Sequence, residues 1–198
     1  MLDEKRFEMV KKKHLKAFNE HLKEGRVDKK VISFCKALFK TKNYFPLSSC
    51  SGRVILLSLT KDEIKKDAFF HAKWHDKPNF KEFMKALNEK TTETLWLKSE
   101  PFIYHVGCKS LLYARKMLDI KDKAGVKKGG IFIAKEGKFL VELTGSNKIA
   151  LPVKKKDEIL LNKKQLKFYF DDAVSKLVKN DKARKRFEKE CLKQIKKL

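Results

Sequence analysis

Residues 48–58 read Ser-Ser-Cys-Ser-Gly-Arg-Val-Ile-Leu-Leu-Ser, a run of small polar residues that passes directly into a short apolar run. An apolar run of this length, bounded by Gly and Ser, predicts a strand over 53–58. Pro46 and the small polar residues after it predict an irregular turn before that strand. Residues 68–74 have the composition of a partner strand. We therefore expect a sheet in the central part of the chain.

Two amphipathic helices are expected before this string. In the first, over 5–22, apolar residues recur on one helical face. In the second, Asp28 is a typical N-cap, and the apolar residues after it follow helical spacing. They are Val31, Phe34, Cys35, Leu38 and Phe39. We expect this second helix to end near Asn43.

Helices and strands follow in an irregular order after the string. We predict helices over 79–90 and 110–124, strands over 93–98, 102–107 and 149–153, a hairpin of strands 131–135 and 138–144, and two Lys-rich helices over 158–179 and 181–197. This order predicts an α+β fold with a mixed or largely antiparallel sheet packed against helices, and not the regular alternation of a Rossmann-type fold. A weak echo, a helix followed by a Gly-containing turn and two strands in both 28–74 and 110–144, suggests an internal duplication.

The chain shows no linker. Its 8 Gly and 4 Pro are scattered, and no stretch is rich in Ser or Gly. We therefore expect a single α+β domain over 1–198, with helical N- and C-terminal segments.

The charge of the chain is strongly positive. Its 49 Lys and Arg against 25 Asp and Glu leave a formal net charge of +24 in 198 residues, spread as +7 over 1–42, +8 over 43–150 and +9 over 151–198. Such a potential concentrates polyanions, which favours a nucleic-acid partner. The alternative is a Lys-rich surface of the kind found in hyperthermophiles. With 42% hydrophobic and 11% aromatic residues, the chain has enough apolar material for a core.

A membrane protein is not expected. No run approaches the ~18 consecutive apolar residues of a membrane span. The first residues lack the apolar segment of a signal peptide. We expect a soluble, cytoplasmic protein.

Most common cofactor and metal motifs are absent from the sequence. There is no Gly-rich dinucleotide loop, P-loop or zinc-protease motif, which disfavours Rossmann cofactor binding and P-loop chemistry. The four Cys form no CxxC pair, and a zinc site built from His71, His75, His105 and Cys108 lacks the usual paired spacing. We expect no metal. Cys35 and Cys191 fall on apolar helix faces and are expected to pack in the core.

Two strings carry the candidate chemistry. The small residues of 48–52, followed by Arg53, are suited to bind a carboxylate or phosphate through backbone N–H groups and a fixed cation, although an ordinary Ser-rich turn has the same composition. In the strand over 102–107, Ile103 and His105 are expected on one face and Tyr104 on the other. A histidine so placed is either catalytic or a structural residue. Trp74 and Trp96 are more typical of a core than of a stacking surface.

Taken together, these strings resemble a known family. Residues 44–54, Tyr-Phe-Pro-Leu-Ser-Ser-Cys-Ser-Gly-Arg-Val, resemble the signature turn of the wybutosine-synthesising methyltransferases. The resemblance continues through Trp74-His75, Trp96–Val106, Gly125–Ile131, Val141-Glu142 and Lys148-Ile149, in the family's order. The chain departs from the family at Pro46-Leu47, Ser99 and Gly129, where Thr-Thr, an aromatic residue and Ser are common.

The resemblance implies methyl transfer from S-adenosylmethionine to ring N4 of a tricyclic guanosine derivative, 7-aminocarboxypropyl-demethylwyosine, at position 37 of tRNA-Phe, without a Rossmann domain. It implies a cofactor or base pocket formed by Ser48, Ser49, Cys50, Ser51, Gly52 and Arg53. It also implies a matching segment with Glu100 and His105, either of which is suited to remove the N4 proton. The alternative is that positioning of the already activated donor suffices without a base.

The expected partner is the anticodon arm of tRNA-Phe. The candidates for contacting it are Lys73, Trp74, His75, Lys98, Lys127 and Lys128. Two other functions remain open at this point. A non-catalytic basic RNA-binding module needs only the charge and the aromatic residues, and an enzyme that depends on Cys50 needs a lowered thiol pKa.

Overall fold

The computed structural model describes residues 2–60, 68–135 and 137–195, with side chains from residue 4 onwards. The helices are α1 Leu2–Lys23, α2 Ile32–Phe39, α3 Phe80–Asn88, α4 Leu111–Lys123 and α5 Lys163–Ile195, with a short 3-10 turn at Lys29–Val31. The strands are β1 Tyr44–Cys50, β2 Arg53–Leu59, β3 Phe69–Trp74, β4 Thr94–Glu100, β5 Ile103–Cys108, β6 Lys128–Lys135, β7 Lys138–Thr144, β8 Ile149–Lys155 and β9 Glu158–Ile159.

The chain forms two compact units and passes between them at four points. The first unit contains residues 1–51, 102–146 and 182–198, and the second contains 52–101 and 147–181. Each unit has its own sheet and its own apolar core. The single domain expected from the missing linkers stays a prediction.

The first unit is built on a four-stranded antiparallel sheet in the order β1-β5-β7-β6. One face packs on α2, α4 and the last part of α5, with Phe34, Tyr104 and Phe187 in mutual ring contact at its centre. On the other face, α1 covers one end through contact between Phe7 and Phe45. The strand β5 therefore has one buried face and one face that α1 covers only in part.

The second unit is built on a five-stranded antiparallel sheet in the order β3-β2-β4-β8-β9. Its core lies between this sheet, α3 and the first part of α5. Asn79 begins α3 with a capping box, in which its side chain and that of Glu82 each accept the other's backbone N–H. At the other end of α3, the buried Lys154 ammonium donates to the carbonyl oxygens of Leu87 and Glu89 at 3.0 and 2.6 Å. These contacts satisfy some of the free backbone groups at both ends of α3 within the unit.

The expected α+β class is confirmed, and all strand pairs of the described residues are antiparallel. The proposed duplication stays a prediction. The two strands compared in each segment, β2 with β3 and β6 with β7, are antiparallel neighbours in their sheets. Strand β1, which lies between α2 and β2 in the sequence, has no counterpart between α4 and β6.

Two local predictions were wrong. The irregular turn expected from Pro46 to Cys50 is strand β1, because an edge strand tolerates a proline that lacks a backbone donor. The two helices expected after residue 158 are the single helix α5, which begins only at Lys163 and contains no Gly or Pro. The buried Asn180, near the expected break, uses its side chain for a tertiary contact with Asn147. None of the helices in the described part of the chain combines the length and the apolar character needed to cross a membrane.

Candidate active site

The exposed part of the first sheet carries His105. As expected, β5 alternates, so that Tyr104 is fully buried while Ile103 and His105 lie on the opposite face. The strand register sets Glu142 of β7 directly opposite His105. Residues that are directly opposite in a sheet share a face, so Glu142 lies on the same surface as the imidazole.

His105 and Glu142 form a hydrogen-bonded pair. The His105 Nε2 lies 2.8 Å from the Glu142 Oε2, and their side chains are 22% and 36% exposed. Because a carboxylate only accepts hydrogen bonds, Nε2 carries the proton. In the neutral imidazole the lone pair is then on Nδ1, which has no hydrogen-bond partner among the described residues. The pair can accept a proton at Nδ1 while the carboxylate stabilises the resulting imidazolium.

Sequence reasoning did not identify Glu142 as a site residue. The signal available was its position in a segment that resembles the family. The predicted hairpin pairs β7 with β6, but nothing in the sequence indicates that β5 is the other neighbour of β7, or in which register, so the contact with His105 could not be predicted.

Ser48 and Ser49 line a cleft within the first unit. The cleft has a volume of about 380 Å³ and lies between α1, α2 and β1, with Phe18, His21 and Cys35 also in its wall. The Ser49 Oγ is buried and has no hydrogen-bond partner of normal geometry among the described residues. Burial raises the pKa of the Cys35 thiol to about 11, although the Ser49 hydroxyl acts in the opposite direction. The expectation that Cys35 and Cys191 are buried is confirmed.

The next residue of the string, Ser51, uses its backbone N–H for a bond within the protein and not for the external carboxylate or phosphate expected from the sequence. Ser51 is buried, and its backbone N–H donates to the Asp28 Oδ2 at 2.7 Å. The other carboxylate oxygen of Asp28 caps the turn before α2 by accepting the Lys30 N–H at 3.0 Å. The Ser51 N–H is thus already bonded to a carboxylate of the protein. This hydrogen bond fixes the end of β1. Cys50 is half-buried and pairs in register with Ile103.

Arg53 and Glu100 form a pair in the second unit. They are directly opposite in the register of β2 and β4, and the Arg53 Nε lies 2.6 Å from the Glu100 Oε2. The guanidinium also lies over the Phe70 ring, 4.5 Å from its centroid. The side chains of Arg53 and Glu100 are 25% and 37% exposed, so both charges remain accessible. The two candidate bases thus have different partners. Glu100 is paired with Arg53, and His105 is paired with Glu142.

Gly52 has a backbone conformation that favours glycine. Its φ is +94°, in the left-handed region that residues with a side chain rarely adopt. The His75 Nδ1 lies 3.1 Å from the Gly52 carbonyl oxygen and donates to it, since a carbonyl only accepts. His75 therefore helps to hold the peptide that leads into Arg53.

The candidate RNA-binding residues are distributed over both units. Lys73 is exposed, with its ammonium 5.5 Å from the Phe70 ring centroid, and the Lys98 ammonium is 5.7 Å from the Trp96 ring. Lys127 and Lys128 are exposed at the start of β6. Trp74 is half-buried and packs against the core of the second unit. A core position rather than a stacking surface is what the sequence predicts for this residue.

Comparisons with known proteins cover nearly the whole chain. The model of a family described as "Methyltransferase TYW3" matches residues 8–193. Two similar proteins are both named tRNA(Phe) 7-((3-amino-3-carboxypropyl)-4-demethylwyosine(37)-N(4))-methyltransferase. That of Thermococcus sibiricus is 31% identical over 83% of this chain and 84% of its own, and that of Methanocaldococcus jannaschii is 31% identical over 84% and 87%. The solved structure of the PH1069 protein from Pyrococcus horikoshii superposes with a TM-score of 0.89 at 27% identity, covering 96% of this chain and 97% of its own.

Proposed function

Because the chain belongs to the methyltransferase TYW3 family, we propose that it methylates ring N4 of 7-aminocarboxypropyl-demethylwyosine at position 37 of tRNA-Phe. The chain is a tRNA methyltransferase with a non-Rossmann fold of two antiparallel sheets. The observation that carries the proposed chemistry is the His105–Glu142 pair, with an imidazole nitrogen available as a proton acceptor. We expect a cytoplasmic enzyme that needs no metal.

The methyl donor is S-adenosylmethionine, which supplies an electrophilic methyl group on a positively charged sulfur. The cleft lined by Ser48 and Ser49 supports binding of such a molecule. Its volume of about 380 Å³ is within the range of small-molecule pockets, roughly 300–1,000 Å³. It offers an apolar surface at Phe18, a ring nitrogen at His21 and the hydroxyl of Ser49.

His105 acts as the general base in this proposal. As the N4–methyl bond forms, the methyl–sulfur bond of the donor breaks and S-adenosylhomocysteine leaves. N4 loses its proton in the same process, and His105 Nδ1 accepts it. Glu142 holds the Nε2–H and balances the positive charge on the ring. Glu100, the other candidate base, has its carboxylate engaged by Arg53 and acts as a positioning residue for that guanidinium.

Four lysines supply the affinity for tRNA: Lys73, Lys127 and Lys128 are exposed, and Lys98 is half-buried. Phosphate contacts dominate protein–RNA affinity and make it sensitive to salt. Lys73, Lys98, Lys127 and Lys128 are accordingly proposed to contact the anticodon arm, together with His75 and the accessible part of Trp74.

The test uses labelled S-adenosylmethionine and tRNA-Phe from cells that lack this protein. We expect methyl incorporation at the tricyclic base, and none into tRNA that carries unmodified guanosine at position 37. Tight tRNA binding without methyl transfer would favour the non-catalytic RNA-binding module instead. Loss of activity in Cys50→Ala would favour the Cys50-dependent enzyme, and we expect this variant to stay active.

Arg53→Ala is expected to weaken the binding of S-adenosylmethionine or of tRNA by about tenfold or more, because a charged hydrogen bond contributes roughly 1.5–3 kcal/mol. The guanidinium is the fixed cation of the string and is suited to bind the methionine carboxylate or an RNA phosphate. Isothermal titration with each ligand separately identifies which of the two anions it binds.

The control for this experiment is Arg186→Ala, which removes the same charge from an exposed position of α5. A loss of affinity common to both variants would show a general effect of net charge. Unchanged affinity for both ligands in Arg53→Ala would remove Arg53 from the site.

A further inference from the structure

Phe132 is the most exposed large apolar side chain of the described residues. It is 70% exposed and lies in the middle of β6. Its neighbours Ile131 and Ile133 are half-buried. An aromatic ring held in water gains nothing from hydrophobic burial within the chain. Single exposed apolar side chains are common, and Phe168 is almost as exposed, so the role of Phe132 depends on what lies beside it.

A β-bulge directs Phe132 towards His105. Ile131 pairs with Val141, and Ile133 pairs with Leu140, so that Phe132 is the extra residue that has no partner in the ladder. Bulges of this kind change the direction of a side chain and are frequent beside active sites. The Phe132 ring centroid lies 6.5 Å from that of His105.

Gly130 exposes its backbone beside the His105–Glu142 pair. It is directly opposite Glu142 in the register, and a Cβ built there meets no atom within 4 Å. Its φ is not positive, so other residues can adopt its conformation. Gly129 differs in both respects, since its φ is +151° and a Cβ there would lie 2.6 Å from the Glu142 carbonyl oxygen. The glycine at 130 thus has no structural requirement of its own and leaves space above the strand.

We propose that Phe132 and Gly130 form the platform on which the target base stacks, next to His105. This inference rests on the proposed function and adds the residues that bind the base. A flat tricyclic base has a large π-surface, and single-stranded RNA bases are commonly bound by stacking on aromatic side chains. The Phe132 ring supplies the stacking surface, and the bare backbone at Gly130 admits the edge of the base. The exposed Lys127 and Lys128 at the start of β6 add the positive charge that an RNA strand requires.

Phe132→Ala tests the platform against Phe168→Ala, a matched control at a ring that is 67% exposed on α5. We expect Phe132→Ala to weaken the binding of tRNA that carries the tricyclic base by about tenfold. Its S-adenosylmethionine affinity and melting temperature should stay at wild-type values. Phe132→Trp should retain binding, and its added fluorescence should be quenched by this tRNA. Phe168→Ala should behave as wild type.

Gly130→Val gives an independent test, since it fills the open space without backbone strain. We expect at least a tenfold rise in KM for the modified tRNA and an unchanged melting temperature. Wild-type affinity in Phe132→Ala or wild-type KM in Gly130→Val would overturn the platform. The proposed function fails separately, if the wild-type protein transfers no methyl group to the modified tRNA.

Discussion

His105→Gln is expected to slow methyl transfer by about 10²- to 10⁴-fold, the usual contribution of a general base. The amide N–H of glutamine can still donate to Glu142, but the side chain has no basic nitrogen to replace Nδ1. Binding of tRNA and of S-adenosylmethionine should therefore remain near wild type. Single-turnover rates measured at saturating tRNA and S-adenosylmethionine report the chemical step separately from binding. An unchanged single-turnover rate would exclude His105 as the base.

Glu142→Gln separates positioning from proton transfer. Glu142 acts through His105, because its carboxylate holds the Nε2–H. We expect the rate of methyl transfer in the single variant to fall by about ten- to a hundredfold. This is the effect on rate of losing a hydrogen bond to a charged group, which contributes roughly 1.5–3 kcal/mol. The double variant His105→Gln/Glu142→Gln should be no slower than His105→Gln alone, since residues that act as one unit are not additive. Fully additive losses would contradict the assignment of Glu142.

Arg184→Met is expected to destabilise the protein by about 3–5 kcal/mol, the usual cost of breaking a buried ion pair. Arg184 is 3% exposed and donates to the Glu188 Oε1 and, at 3.2 Å, to the Lys30 carbonyl oxygen. Tyr104 donates to the same Glu188 oxygen. Burial, together with the Glu188 carboxylate, raises the pKa of the Tyr104 hydroxyl far above its usual range, so it remains a donor. Without Arg184, Glu188 keeps no cation among its partners in the described residues.

Urea unfolding and thermal melting measure this effect. In a chain of this size, each kcal/mol corresponds to about 2–4 °C in melting temperature, so a fall of roughly 6–20 °C is expected. The double variant Arg184→Met/Glu188→Gln should recover much of the loss, because the remaining amide carries no charge. Equal stability of the wild-type protein and Arg184→Met would show that the pair contributes no net stability.

The two errors in the secondary structure have a common cause. Pro46 and the serines after it have low strand propensity, and Asn180-Asp181 resembles a helix end, yet both segments are regular. In each case a tertiary feature outweighed a weak local preference: an edge position for β1, and the Asn180–Asn147 contact for α5. Predictions that rested on strong local signals were confirmed. Examples are Asp28 as an N-cap and the β6–β7 hairpin.

The sequence by itself determined the α+β class, the family and the residues most worth testing, because these depend on local patterns and on the order of distinctive strings. The tertiary structure alone decided which of those residues meet. Asp28 binds Ser51, which lies 23 positions further along the sequence. Glu142 and His105 are 37 positions apart, and Arg53 and Glu100 are 47 positions apart. Strand register depends on packing across the sheet, and a shift of one residue would turn His105 or Glu142 to the other face. For the same reason the bulge that exposes Phe132 cannot be read from β6 alone, since it is defined by the pairing with β7.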